Sequence, residues 1–279
     1  MIVAVSLGSK EFFEADPPYD NDELLRSVRK ASSLGFEAVQ VGPLGSFVRI
    51  EGGRLRTVLD SLNISRNVHV GGLYDAEKFV ATREEYVKAR KEVHYGVMLC
   101  RKIGSTLVSV HPPFFATESL VSEKLQFRAK IRFLELLEEE VDFASRNNIK
   151  IALESFCYYP FIFEGLNDFA QFVSKFPSEK LGVLLDVGHV YQIGIDLSDA
   201  LQTFGDRLLD IHVHDATRDK DYRKATHLPI GRGTINFPNF LNLLREVRYD
   251  GWLTLEVRGS EKEVVQSKQF LESLLASGS

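Results

Sequence analysis

The sequence predicts a single (β/α)8 barrel, and three observations carry that prediction. Strand-like apolar runs alternate with amphipathic helical segments from end to end, the pattern of a parallel α/β fold. The length of 279 residues suits one barrel of about 250 residues. Seven His, Asp and Glu residues also fall at or just past the C-terminal part of successive apolar runs. They are His69 in NVHV, His111 in LVSVHPP, Glu154 in IALES, Asp186 and His189 in LLDVGH, His212 in DIHVHD, and Glu256 in LTLEV. In a barrel those strand ends converge on one pocket, where the chemistry of this fold is built.

Taken in order, the first strand is expected over Ile2–Leu7. Its following turn, Ser6-Leu7-Gly8-Ser9, lacks the GxGxxG spacing of a dinucleotide-binding turn. That favours a closed barrel over an open doubly wound sheet. Helical spacing over Glu23–Leu34 ends at Leu34-Gly35, a stop signal. Strands follow over Ala38–Val41 and Ile64–Val70. The helical segment Arg83–Lys102 stops at Gly104, strand four covers Leu107–His111, and Glu123–Arg146 stops at Asn147-Asn148. Strands five to seven are Ile151–Glu154, Gly182–Asp186 and Leu209–Val213. Phe237–Val247 is a helix with a Pro-containing start, Leu253–Val257 is strand eight, and Lys262–Leu275 closes the chain. No linker, low-complexity tract or long repeat interrupts the series, so residues 1–279 are expected to form one domain.

Composition narrows the class. A hydrophobic fraction of 44% with 26% charged residues is that of a globular protein with a full core. No stretch approaches the roughly 18 uncharged apolar residues a membrane helix requires. The N-terminus enters a strand at once without a basic leader, so a cytoplasmic protein without a signal peptide is expected. Cys100 and Cys157 make no metal or redox spacing and read as free thiols. A formal charge of −5 weighs against nucleic acid as a partner, since phosphate contacts need clustered Lys and Arg. Abundant Glu, Lys and Arg with few Met and Cys point weakly to a heat-adapted source.

The loops after the strands carry aromatics: Phe12 and Phe13, Phe114 and Phe115, and Tyr158, Tyr159, Phe161 and Phe163. Two readings stand side by side. They wall a pocket for a small polar ligand, or they pack the barrel rim and a subunit contact, as in a dimer or tetramer. Trp252 precedes strand eight and reads as core.

Glu154 and Glu256 lie in otherwise apolar strands. An unpaired buried carboxylate costs several kcal/mol, so each needs a cationic partner or a metal. The alternative of a buried Arg or Lys partner is weakened because no basic residue lies in these strands; Arg258 falls beyond the end of the last. Asp186 and His189 form a D-x-x-H turn, which suits a metal ligand with a neighbouring His and also suits a simple capping turn. His212 and His214 lie two apart and point to one side of strand seven. One reads as a ligand and the other as a group that bonds substrate or a ligand, and periodicity does not choose between them. His69 and His111 gain a role from their company with the carboxylates. His227 in THLPIGRG is a loop candidate, and His94 on a helix is expected to be surface or packing.

These residues, with HLPIGRGTINFPNFLNLLREVRYDGWLTLEV from His227 to Val257 and GFEAVQV from Gly35 to Val41, resemble the xylose-isomerase-like TIM-barrel superfamily over nearly the whole chain. That superfamily includes sugar epimerases and isomerases, inosose dehydratases and zinc-dependent apurinic-site endonucleases. The resemblance implies a divalent ion (Mn²⁺, Mg²⁺, Co²⁺ or Zn²⁺) held by Glu154, Asp186, His212 and Glu256, and it selects His212 over His214 as the ligand. In the epimerase branch the two glutamates are also the acid and base. One removes the proton beside a ketose carbonyl, an enediolate forms, and the other returns a proton to the opposite face. His189 and Arg218 fall where epimerases place groups that bond the carbonyl end of the sugar, and His69, His111, His214 and His227 complete the expected substrate-binding set.

The endonuclease branch is the rival that the resemblance also implies. Its trinuclear site matches His69, His111, Glu154, Asp186, His189, His212, His227 and Glu256. It departs at one ligand, where Ala225 stands two residues before the loop histidine, so a third ion would be held by His189 and His227 alone unless Asp219 or Asp221 swings in. Val70-Gly71-Gly72 after His69 carries no DNA-contacting Tyr, although Tyr74 is near. A barrel that has lost catalysis is opposed by the intact Glu154 and Glu256. The expectation is therefore a metal-dependent sugar isomerase or epimerase acting on a small sugar or polyol, with an abasic-DNA phosphodiesterase as the alternative.

Overall fold

Eight parallel strands pair in sequence order, and β1 closes on β8 to complete a barrel. The strands are β1 (Ile2–Ser6), β2 (Ala38–Val41), β3 (Ser65–Val70), β4 (Leu107–Val110), β5 (Lys150–Glu154), β6 (Leu181–Asp186), β7 (Leu208–Val213) and β8 (Trp252–Leu255). Between them run α1 (Asn21–Ser33), α2 (Gly52–Ser61), α3 (Ala76–Ala81), α4 (Arg83–Ile103), α5 (Glu123–Arg146), α6 (Leu166–Val173), α7 (Val187–Gln192), α8 (Leu197–Phe204) and α9 (Phe237–Glu246), with α10 (Glu261–Ser277) last. The computed structural model describes residues 1–8, 20–42, 49–71, 74–116, 121–155, 161–219 and 225–277.

Alternation along each strand sorts its side chains into two populations. Val3, Val5, Val39, Val41, Val68, Val70, Val108, Val110, Ile151, Leu153, Val183, Leu185, Ile211, Val213, Leu253 and Leu255 join the large core that packs the barrel wall against the helix ring. The residues between them point inward. There, Leu107, Ala152 and Leu184 form a small apolar plug of their own, Ala4 and Ala38 are small apolar neighbours, and Gln40, Asn67, His69, Ser109, Glu154, Asp186, Asp210, His212 and Thr254 are polar.

The strand and helix limits differ from expectation where a local bond competes. Ile64 stays out of β3 because its N–H bonds to Leu59 O and closes the end of α2. His111 stays out of β4 because Pro112 and Pro113 follow and have no N–H for the ladder. After β8, Arg258 N donates to His227 O, which draws the chain away toward that loop. Helix α1 starts before Glu23 because Asp20 caps it, with Asp20 and Glu23 bonding each other's backbone N–H in a capping box. Gly104, at φ +76°, ends α4 as expected. Helices α2, α3, α6, α7 and α8 are six to ten residues long, too short for a clear 3.6-residue period. Trp252 is the first residue of β8 and only half-buried. Among the described residues no helix is long and apolar enough to cross a membrane.

Candidate metal centre

The inward faces of β3 to β8 deliver Asn67, His69, Ser109, Glu154, Asp186, Asp210, His212 and Thr254, all buried. His111 and Glu256 follow directly at the ends of β4 and β8. Glu154, only 1% exposed, meets histidines: His111 Nε2 lies 2.7 Å and His69 Nε2 3.5 Å from its Oε2, and His189 Nδ1 lies 3.9 Å from its Oε1. Glu256 likewise meets His212 Nδ1 at 2.9 Å and His227 Nε2 at 3.7 Å. Among the described residues, the ion-pair partners of both carboxylates are imidazoles, so neither glutamate is explained by a buried Arg or Lys.

Asp186 has two duties. It ends β6 and caps α7, its Oδ1 accepting from His189 N at 2.7 Å. The helix therefore begins without a loop, and this turn carries His189 toward Glu154. The same carboxylate takes His214 Nε2 at 3.0 and 3.2 Å and lies 3.8 Å from His212 Nδ1. Gly188 makes the His214 position possible, because a Cβ there would stand 1.8 Å from the imidazole. Asp186 draws the His214 pKa up against the burial that lowers it. The N–H of His227 nevertheless donates to His214 Nδ1 at 2.9 Å, so the ring proton toward Asp186 is on Nε2.

His227 adopts φ +56°, a left-handed conformation uncommon for a side chain of this size. Its N–H bonds His214 and its carbonyl accepts from Arg258 N at 2.7 Å. Its ring stacks on His214, with centroids 4.3 Å apart and planes 11° from parallel. Under this loop lies Asp215, which accepts from the backbone N–H groups of Ala216, Gly231, Gly233 and Ile235.

The histidines divide electrostatically. Burial, then the neighbouring His111 and His212, hold His69 well below the usual imidazole range. Burial outweighs Asp186 at His189 and lowers it to about 3, and burial with His214 lowers His227. These rings are neutral. At His212, by contrast, burial is overcome by the charge and hydrogen bond of Glu256, then by Glu154 and Asp210, and the pKa rises to about 10. Glu256 is the complement, held well below the carboxylate range by His212 and His227 against its own burial.

Among the described residues, three overlapping groups offer ligand atoms within 4.8 Å of one another: Glu154, Asp186 and His212; His69, His111 and Glu154; and Asp186, His189, His214 and His227. Buried ring nitrogens without a hydrogen-bond partner lie among them: His69 Nδ1, His111 Nδ1 and His227 Nδ1. Stranding such atoms is costly, and a mixed set of imidazole nitrogens and carboxylate oxygens suits a divalent transition ion. The residues fit a metal.

Nine of the ten expected site residues thus meet in one buried network. The tenth, Arg218, is exposed, with its guanidinium 4.7 Å over the Tyr191 ring. His94 is a packing residue, stacked on Phe143 and 3.0 Å from Glu140. Phe115, Phe161 and Phe163 belong to the main core, which supports the packing reading of the loop aromatics. Phe12, Phe13, Tyr158, Tyr159, Asp221 and Cys157 lie outside the described residues. Cys100 is a buried free thiol, pushed up to about 12 by burial. Tyr74 is buried beside Phe79 as a core residue, and Asp219 is exposed.

Sequence reasoning missed Gln40, Asp210 and Asp215. The first two had a signal, a polar residue inside an apolar strand run (AVQV and LLDIHV). Asp215 had a weaker one, the Gly-Arg-Gly of the loop that wraps it.

Comparison with known proteins identifies the family and the fold. The profile of one family, described as xylose isomerase-like TIM barrel, matches residues 28–274. An uncharacterized protein of Methanocaldococcus jannaschii is 30% identical over 180 residues, 62% of this chain and 58% of that protein. A probable endonuclease 4 of Thermoplasma acidophilum is 27% identical over 176 residues, 58% of this chain and 57% of that one. The chain thus spans less than two thirds of the length of these relatives. The crystal structure of a D-tagatose 3-epimerase-like protein superimposes with a TM-score of 0.78 at 23% identity, covering 99% of this chain and 97% of that one. The family match extends across β3 to β8, the strands that build the histidine–carboxylate pocket, and the chain belongs to the xylose isomerase-like TIM-barrel family.

Proposed function

We propose that this chain is a divalent-metal-dependent sugar isomerase or epimerase, with Glu154, Asp186, His212 and Glu256 holding the ion and the two glutamates acting as acid and base. The observation that carries it is the convergence of Glu154, Asp186 and His212 on one small volume, with His212 Nδ1 2.9 Å from Glu256. Bound there, a cation supplies Lewis acidity to the ketose oxygen on which negative charge grows. One glutamate takes the proton from the carbon beside the carbonyl, and the other returns a proton. His69, His111, His189 and His227 bond the oxygens of the sugar. His214, engaged at both nitrogens, orients Asp186 instead. The barrel shared with a D-tagatose 3-epimerase-like protein is consistent with this chemistry.

One observation favours a second reading, a zinc phosphodiesterase acting on abasic DNA. Among the described residues the groups that could hold an ion number three, and they overlap, as a multinuclear centre requires. Metal stoichiometry separates the two. Protein stripped with chelator and reconstituted with Mn²⁺ or Zn²⁺ is expected to hold one tight ion per chain, absent from Glu154→Ala. Two or three zinc ions, one of them lost in His227→Ala, would instead support the phosphodiesterase.

Loading depends on pH in a defined direction. His212 titrates at about 10 in the metal-free protein, so below that pH a proton on Nδ1 must leave before the nitrogen can ligate. Glu256 and Asp186 are held ionised and release none. The apparent affinity is expected to rise about tenfold per pH unit from about pH 6 to pH 9, read by titration against a chromophoric chelator. A flat profile would remove His212 from the ligand set.

A further inference from the structure

Behind His212, on the side away from Glu256, lies a buried polar chain. His212 Nε2 is 2.9 Å from Gln40 Oε1, and Gln40 Nε2 donates to Asp210 Oδ2 at 3.2 Å. Asp210 Oδ1 accepts from Thr254 Oγ1 and from Ile211 N, each at 2.8 Å, and Asn67 also bonds this carboxylate. All of these side chains are buried.

The direction of every bond in the chain follows from its two ends. A carboxylate accepts and does not donate, so Asp210 draws the NH₂ of Gln40 toward itself. The Gln40 carbonyl is thereby turned to His212, and it bonds only a ring nitrogen that carries hydrogen. The proton of His212 is thus kept on Nε2, and Nδ1, which faces Asp186 and Glu256, is the nitrogen that can offer a lone pair. We propose that Gln40 and Asp210 are positioning residues that fix the imidazole of His212 as an Nδ1 metal ligand, with the amide of Gln40 as the coupling between carboxylate and histidine. The inference rests on the metal-centre reading above. It is a longer form of the carboxylate–histidine–metal arrangement, whose outer partners are commonly worth 10- to 100-fold in metal affinity.

The chain can be reversed without changing its shape. In Asp210→Asn the backbone N–H of Ile211 still demands an acceptor at the Oδ1 position, so the new NH₂ faces Gln40. Gln40 must then flip and present its own NH₂ to His212 Nε2, which forces the ring proton onto Nδ1 and blocks ligation. Adding Gln40→Glu restores the original direction: the introduced carboxylate accepts from the side-chain amide at 210 and from His212 Nε2–H, with the formal charge of the pair unchanged.

The test measures zinc affinity by chelator competition for wild type, Asp210→Asn, the double variant and Gln40→Met, with thermal unfolding of the metal-free forms as the check on folding. Asp210→Asn and Gln40→Met are expected to lose about 10- to 100-fold in affinity, and the double variant to recover most of it. A long-range ¹H–¹⁵N spectrum of the zinc-loaded wild type is expected to show His212 protonated at Nε2. Equal affinity in wild type and Asp210→Asn, or no recovery in a folded double variant, would overturn the relay while leaving the metal centre intact. A wild type that retains no ion would overturn the centre itself, and the relay with it. Should Asp210→Asn fail to fold, Gln40→Met and the spectrum decide alone, since Gln40→Met affinity equal to wild type or an Nδ1 proton sinks the proposal.

Discussion

Glu154→Gln and Glu256→Gln are each expected to slow proton exchange beside the carbonyl of the true ketose substrate by about 10²- to 10⁴-fold, the usual share of a positioned acid or base. The measurement is deuterium incorporation into the sugar in heavy water, at saturating metal. An amide has nearly the shape of the carboxylate but cannot take the proton, so the loss should fall on kcat. Both variants also alter a proposed ion ligand, so metal content must be matched before rates are compared. The environments predict unequal secondary effects. Glu154 is enclosed by His69, His111 and His189, and a neutral side chain there removes the one carboxylate that all three face. Glu256 is 16% exposed and compensates the raised His212. In Glu256→Gln the His212 pKa should fall, flattening the pH dependence of metal loading. Full activity in both variants would refute the acid–base assignment.

Much of this was legible in the sequence because a parallel strand announces itself twice, once by its apolar run and once by the polar residue that ends it. The eight predicted strands all exist, and the site residues they carry arrive together because every strand points its C-terminal end the same way. What was not legible depends on neighbours distant in sequence. Gln40 and Asp210 lie 170 positions apart, and only closure of the barrel sets them side by side. Strand periodicity did not separate His212 from His214, and their surroundings differ through the His227 backbone N–H that folds onto His214. No spacing encodes that contact, since it arises from a left-handed residue in a loop. Arg218 shows the converse limit. This residue, matched by position in a loop after β7, lies over Tyr191, an aromatic from α7, a neighbour that its position in the sequence does not reveal.

The same loop sets the second large effect. Asp215→Ala is expected to destabilise the metal-free protein by about 3 kcal/mol or more, since hydrogen bonds to a charged group contribute about 1.5–3 kcal/mol each and four backbone N–H groups converge on this carboxylate at 2.8 to 3.1 Å. Simple addition overstates the loss, because part of the loop can relax to water once the anchor is gone. Asp215→Asn preserves the volume but turns an NH₂ toward at least one pair of these donors, so its cost should lie between wild type and Ala; urea denaturation orders the three. A cost below about 1 kcal/mol for Ala would mean that the Asp215–Leu228 backbone pair holds the loop unaided. The consequence for the site is selective. His227 is carried by this loop, whereas Glu154, Asp186 and His212 are carried by strands. A folded Asp215→Ala protein should therefore keep the ion proposed for the strand-borne ligands while losing any second ion that depends on His227. Under the isomerase reading, its metal content stays at one as its stability falls.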